Sequence, residues 1–473
     1  MSKIISGDLK LYLSEGSLSG WFFLILLCIW FFISVVPVNI PNTGDLYNFK
    51  RLLQVALVCL ICVYAYCLMV VAPPVIAPAV DAYYYSLALL FLAFVFLLFA
   101  GSFFSTHPIQ SAMEASHFVL LFSVFLSGVY LSRANLSQKL LLFFMFCYLS
   151  LILRALIYLY LEIVESGVIR PSVFYPTVTS VRFFNQIQVF FIPLLAAFLC
   201  HRRFSLGAAG LLFVSLFLAI SGGARGLLVS IVAAGLLSFI LLPAMRQTLA
   251  RSAIVLVFAF LCYELVTWNI VVGDDPGETS PFRMHTSGRS AIWLELTAAI
   301  TPMHSLLGAG TGAYAFTEFS RVEGHPHNSL LQFLFEWGGL ATAIFIGLLW
   351  FIFYRGVKYI KCSQLRGQNI EYEAALLITI LSSAIYSLFS GIFVMPIPQT
   401  LFFLYLGLLW AKISPISQLD YGKFALFFKG LVGLFLLIVL VYYAWVVADF
   451  YQQQSTITGF RGPRFWGNGA PLE

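Results

Sequence analysis

The chain has 473 residues, 61% of them hydrophobic and only 10% charged, with a formal net charge of +6. So few charges cannot cover the surface of a soluble domain. The Lys and Arg residues are scattered over separate segments instead of forming the basic patch that nucleic acid requires, so no nucleic-acid partner is expected. What remains is a polytopic membrane protein, in which apolar runs near the ~20 residues that cross ~30 Å of hydrocarbon recur along the chain.

In chain order these runs centre near Leu27, Cys62, Leu92, Leu121, Leu151, Ile192, Val214, Ala233, Phe260, Gly339, Ser382, Leu404 and Phe435. Each is predicted to be a helix, because open strands leave unpaired backbone groups in lipid. The expected fold is all-α, with about 12–13 transmembrane helices by the length rule. The first run, 20–38, is long for a cleavable signal and is read as a retained helix. The last is the weakest span.

Basic clusters occur at Lys3/Lys10, Arg133/Lys139, His201-Arg202-Arg203, Arg246/Arg251 and Arg355/Lys358/Lys361/Arg366. They fall on one side if the N-terminus is cytoplasmic, by the bias of positive loops toward the cytoplasm. Four segments follow. Residues 1–270 carry N-terminal helices, 271–328 form a long periplasmic loop, 329–448 carry C-terminal helices, and 449–473 form a short tail, also periplasmic. A loop that long in a compact protein is usually functional. Within it AIWLELTAAI suits a short interfacial helix, and Gly308 to Gly312 reads as a turn more than as a phosphate loop.

The eight cysteines form no disulfide framework, and the lone Cys59-x-x-Cys62 lies inside a span, where small core residues are the bland reading. Arginines are more telling. Arg154, Arg182, Arg225 and Arg289 gather toward the outer side, against the positive-inside trend. An arginine deep in a span needs a partner or a wet cavity. Arg154 is expected to pair with Glu162 or Glu165. Arg182 is either an interfacial residue or part of an anion site. Arg225, set among glycines, and Arg289 offer the planar forks that hold phosphate oxygens.

The stretch EGHPHNSLLQFLFEWGG, 323–339, places two histidines before an apolar helix. His325 precedes a proline and is biased to extended backbone. Ser329 fits a capping box with Gln332; alternatively the helix starts earlier, and Asn328, Gln332 and Glu336 form a polar stripe four residues apart. An imidazole here accepts a proton near neutral pH. A zinc site using His325, His327 and Glu323 or His304 lacks a third ligand at helical spacing, so metal is the lesser reading. His107, His117 and His201 read as interfacial or core residues.

SGGARG, SGRSAIW, LLGAGTGAY and HPHNSLLQFLFEWGG, in that order, with RFFNQIQVFFIPLL upstream, resemble the O-antigen ligase and polymerase superfamily of bacterial membrane glycosyltransferases. The likeness covers roughly the second half of the chain, and its histidine motif is the most specific part. It implies transfer of a glycan from undecaprenyl diphosphate to an acceptor hydroxyl at the periplasmic face of the inner membrane, without a metal, nucleotide sugar or other cofactor. It implies His327 as general base, Arg225 and Arg289 as diphosphate binders with Arg182 beside them, and His325, Asn328, Gln332, Glu336 and Asn185 in support. Trp293 and Tyr314 are expected to stack on sugars, and Trp337 to anchor at the interface. The acceptor is lipid A-core (a ligase), another lipid-linked repeat (a polymerase) or a protein hydroxyl, with the ligase preferred. A transporter or flippase of lipid-linked glycan is the reading from another class; it predicts midplane sites in repeated halves, and no convincing repeat is found.

Overall fold

The computed structural model describes residues 18–36, 46–71, 82–169, 181–200, 204–268, 270–272, 289–318, 324–414 and 423–452. Lys3, Lys10, His201 to Arg203, the 273–288 stretch, Glu323 and residues 453–473 of the tail lie outside them.

The described chain is all-α apart from one pair of two-residue strands. The first six helices are α1 (Leu18–Val35), α2 (Leu46–Val71), α3 (Ala82–Phe103), α4 (Pro108–Leu120), α5 (Phe122–Arg133) and α6 (Ser137–Ser166). After strand β1 (Val168–Ile169) come α7 (Val181–Phe198), α8 (Ser205–Ser221), α9 (Arg225–Leu241) and α10 (Arg246–Thr267). Strand β2 (Val271–Val272) pairs parallel with β1 and ties the ends of α6 and α10 together. Two short helices follow, α11 (Arg289–Ala298) and α12 (Pro302–Leu307), then α13 (Ser329–Leu365), α14 (Glu371–Tyr386), α15 (Pro396–Ile413) and α16 (Lys423–Gln452).

Every span centre expected from hydropathy falls in a helix, except Leu121, which is the single residue joining α4 to α5. Among the described residues, eight helical segments are long and apolar enough to cross a membrane; α8, α9 and part of α16 are apolar but shorter. The protein is therefore a multi-pass helical membrane protein.

Lipid supplies no hydrophobic force between helices, so close approach depends on small residues. Gly128 of α5 lies against the Leu404 and Gly407 backbone of α15, and a side chain at Gly407 would strike the Phe125 carbonyl. Aromatic rings fill the centre: Trp337 stacks on Phe333 at 3.7 Å between centroids and meets Phe118 edge-on at 4.7 Å.

The bundle has two chemically different ends. At one, Arg133 reaches Ser414 (3.4 Å), Arg355 reaches the Ile413 carbonyl (3.4 Å) and Arg251 reaches the Leu199 carbonyl (3.2 Å). These carbonyls and hydroxyls sit at the C-terminal ends of α15 and α7, where cations are favoured by the helix dipole. Arg182 lies at the other end of α7, about 27 Å away at the helical rise of 1.5 Å per residue. Arg154 does not pair with Glu162 or Glu165. Its Nη2 donates to the carbonyl of Val35 (2.8 Å), the last residue of α1. A helix-terminal carbonyl has no intrahelical partner and carries partial negative charge, so it can accept from a guanidinium.

The segment after β2 is built rather than loose. Ile292 and Leu296 of α11 are buried with Tyr314 and Phe335, while Leu294 faces out. Helix α13 breaks at Gly338 (φ 76°, ψ 172°), a conformation open only to glycine. The break leaves the carbonyls of Phe335 and Glu336 without helical partners, and the glycine run takes them: Ala309 N donates to Phe335 O (2.8 Å) and Gly310 N to Glu336 O (3.0 Å). Gly308 and Gly338 sit backbone to backbone, leaving no room for a Cβ on either. The run is a docking turn, in keeping with the turn reading.

Candidate active site

Hydrogen bonds to main chain and side chains hold the His-Pro-His stretch. The His327 amide donates to His325 Nδ1 (3.1 Å), the Trp293 indole donates to the Pro326 carbonyl (2.6 Å), Leu331 N donates to Asn328 Oδ1 (3.0 Å), and Ser329 N donates to the Ser387 carbonyl (2.8 Å). The capping residue is thus Asn328, with extended backbone, and not Ser329, which is already helical. Asparagine and serine cap about equally well, so the helix start decides, and the Asn328 oxygen reaches the third amide on. The local fold forces His327 to φ +55°, the left-handed region that a non-glycine residue rarely adopts. Such strain costs ~1–3 kcal/mol and persists where surrounding contacts over-determine it.

Arg182 Nη1 lies 3.0 Å from His327 Nε2. A guanidinium only donates, so Nε2 accepts and the ring carries its hydrogen on Nδ1. The lone pair a base would use is therefore held by Arg182. Arg289, the first residue of α11, donates to the Phe389 carbonyl (3.3 Å). Both guanidiniums act on the Tyr386 hydroxyl, which engages Ser390. Arg225 opens α9, half-buried, and its guanidinium makes no hydrogen bond with the described residues. The next residue, Gly226, packs so closely that a Cβ would lie 3.2 Å from the Tyr386 ring and 2.8 Å from Phe389 Cβ. His325 covers Gly391, whose Cβ would meet the ring at 2.9 Å.

The turn 386–391 is therefore the common neighbour of the segments bearing Arg182, Arg225, Arg289, His325 and His327. Four elements far apart in sequence bring them together: α7, α9, α11 and the start of α13. His325 and His327 are buried. Asn185 is buried on α7, three residues from Arg182 and so on the same helical face, and its Oδ1 has no hydrogen-bond partner among the described residues.

Gln332 and Glu336 take a different direction. Gln332 donates to Glu336 (3.0 Å), and Glu336 lines a cavity with Arg51, Glu114, His117, Thr311 and Gln399. The space open to the centre of a water molecule there is about 20 Å³, enough for one or two waters and far too small for a sugar. Arg51 bonds to Gln54, to His117 Nε2 (3.1 Å), to Gln399 (3.2 Å) and to the Val394 carbonyl; His117 Nδ1 meets the Tyr443 hydroxyl at 3.0 Å. Sequence reasoning missed this cluster. The available signal was Arg51 and Gln54 three residues apart in an apolar helix, since an ionisable group there requires polar partners.

The aromatic expectations also need correction. Tyr314 packs with Ile292, Leu296 and Phe335, and Trp337 with Phe333 and Phe118, so protein covers their ring faces and Trp337 is no interfacial anchor. Both fill the core behind the glycine turn. Trp293 spends its indole N–H on Pro326. His107 stacks on Phe316 at 3.7 Å, and His304 lies near the Ala299 carbonyl at 3.4 Å. Among the described residues, no three His, Cys, Asp or Glu side chains come together as metal ligands.

No protein-family model, no curated protein and no solved structure matches the chain.

Proposed function

We propose that the protein is a membrane glycosyltransferase that moves a glycan from undecaprenyl diphosphate to an acceptor hydroxyl, at the face of the bacterial inner membrane turned to the periplasm. The observation that carries the reading is the grouping of Arg182, Arg225 and Arg289 with one strained histidine around a single turn, at the end of α7 opposite Arg251. Positive-inside bias supports a cytoplasmic position for the Arg133, Arg251 and Arg355 end, and so a periplasmic one for the histidine end.

The chemistry follows from the donors and acceptors present. Arg225, whose guanidinium makes no hydrogen bond with the described residues, takes phosphate oxygens. Arg182 leaves His327 for the same diphosphate, because a doubly charged oxygen cluster outbids a neutral imidazole. Donor binding thereby frees the Nε2 lone pair. The acceptor oxygen attacks the anomeric carbon while its proton passes to His327 Nε2. The bond from that carbon to the phosphate oxygen breaks, and its electron pair leaves on the diphosphate, whose growing charge the arginines stabilise. Attack opposite the leaving group inverts the anomeric centre. The products are the glycosylated acceptor and undecaprenyl diphosphate. No metal is required for these steps.

Lipid A-core is the preferred acceptor, which makes the protein ligase-like. Purified protein in detergent, supplied with an undecaprenyl-diphosphate glycan and lipid A-core, should form the glycosylated acceptor without a sealed membrane. Transport without chemistry would yield none. Deletion followed by staining separates the acceptors. Loss of long O-chains with accumulated lipid-linked polymer marks a ligase, loss of the polymer itself a polymerase, and unglycosylated protein with normal lipopolysaccharide a protein transferase.

A further inference from the structure

Beside the arginines stands a polar group that diphosphate chemistry does not use. Gln186 lies one helical turn beyond Arg182 on the same face of α7, and it is 1% exposed. Its Nε2 donates to Ser390 Oγ at 2.8 Å. Ser390 also engages Tyr386, follows Phe389, whose carbonyl holds Arg289, and precedes Gly391, on which His325 rests. Gln186 is thus tied by its nitrogen to the turn that the arginine and histidine segments share. Its Oε1 is buried and accepts no hydrogen bond from the described residues; the neighbouring Asn185 Oδ1 is in the same state. A buried carbonyl oxygen left without a donor is costly, so such oxygens are found where something else donates.

The diphosphate cannot be that donor, because its oxygens are lone-pair bearers and would be repelled. We infer that Gln186, with Asn185 beside it, is a sugar-binding residue of this site: its carbonyl oxygen accepts a hydrogen bond from a glycan hydroxyl, one helical turn from the arginine that releases the base. The inference rests on the glycosyltransferase reading. It adds a hydroxyl-recognition subsite, which separates a sugar-bearing lipid from bare undecaprenyl diphosphate. That hydroxyl belongs either to the transferred sugar or to the acceptor sugar, and the two make the same contact.

The test uses the full-length protein in detergent and two probes, undecaprenyl diphosphate and the same lipid carrying N-acetylglucosamine. Wild type should bind the sugar-bearing lipid more tightly. Gln186→Met, which keeps the volume and removes both polar atoms, should lose about tenfold in that preference while binding the bare lipid as before. If the hydroxyl comes from the acceptor, lipid binding stays unchanged and the KM for lipid A-core rises about tenfold with kcat nearly constant. Gln188→Met is the control. That side chain has an equally buried, unpartnered oxygen, but its nitrogen is turned to the Ser215 carbonyl (2.8 Å), so its loss should lower stability without moving either readout. Ser390→Ala, which loosens Gln186 without altering it, should shift the same readout in the same direction and serves if Gln186→Met does not fold. Unchanged lipid preference and unchanged acceptor KM in a folded Gln186→Met, or in Ser390→Ala in its place, overturn the role of Gln186. A wild type that neither binds these lipids nor transfers glycan overturns the glycosyltransferase reading itself.

Discussion

Replacing His327 by alanine and, separately, by glycine separates its chemistry from its backbone strain. Alanine removes the imidazole and keeps an L residue at φ +55°. Left-handed backbone costs an L residue ~1–2 kcal/mol, and glycine relieves this at an entropic loss of ~0.5–1 kcal/mol. The glycine variant should therefore be more stable than the alanine variant by about 0.5–1 kcal/mol, on the order of 1–2 °C in unfolding midpoint. Both variants lose the base, and general base catalysis typically contributes 10²–10⁴-fold. Transfer of glycan in detergent should fall at least ~100-fold in each. Thermal unfolding and the transfer assay on the same preparations give both numbers. An alanine variant with transfer within tenfold of wild type would refute the base assignment. A glycine variant no more stable than the alanine variant would refute the strain.

Arg225→Gln should leave the unfolding midpoint unchanged, because the guanidinium bonds to none of the described residues, while KM for the donor lipid rises roughly 10- to 100-fold, the range for a hydrogen bond to a charged group. Asn328→Ala removes the cap of α13 and should cost about 1 kcal/mol, read as a lower midpoint with the rate also reduced through the loosened histidine loop. Gly338→Ala combines a backbone conformation reserved for glycine with a Cβ driven into the Leu306 carbonyl, and should cost about 2–5 kcal/mol; an unchanged midpoint would mean that the break in α13 is not fixed.

Hydropathy alone located the helices, because a membrane chain writes its spans as contiguous apolar runs. It also flagged Arg182, Arg225, Arg289 and His327, since charged groups near a bilayer are rare enough to be noticed singly. Directions were less legible. Arg154 was matched to acids on its own helix, yet its partner is a backbone carbonyl of α1, which no residue letter reveals. Periodicity groups Gln332 and Glu336 with the histidines, but Glu336 faces the cavity of Arg51 and Glu114, and Gln332 donates to Glu336. Asn328 and Ser329 both fit a cap, and only the helix start decides between them. Trp337 reads as an interfacial tryptophan until the break at Gly338 and the glycine turn bury it. Gln186 went unnoticed beside Asn185, although a glutamine inside a span carries the same cost as the arginines in smaller measure.

Much of the turn that anchors Arg289 and the histidine stretch is main chain. Ser387 and Phe389 contribute carbonyls, and Gly391 contributes the bareness of its Cα. Positions of this kind constrain shape far more than identity. The side chains at 387 and 388 can change while Arg289 keeps its carbonyl, provided that position 391 stays glycine and position 389 still fits against Gly226. Under the proposed function, changes at these positions would alter what lies beside the sugar and leave the main-chain anchors in place.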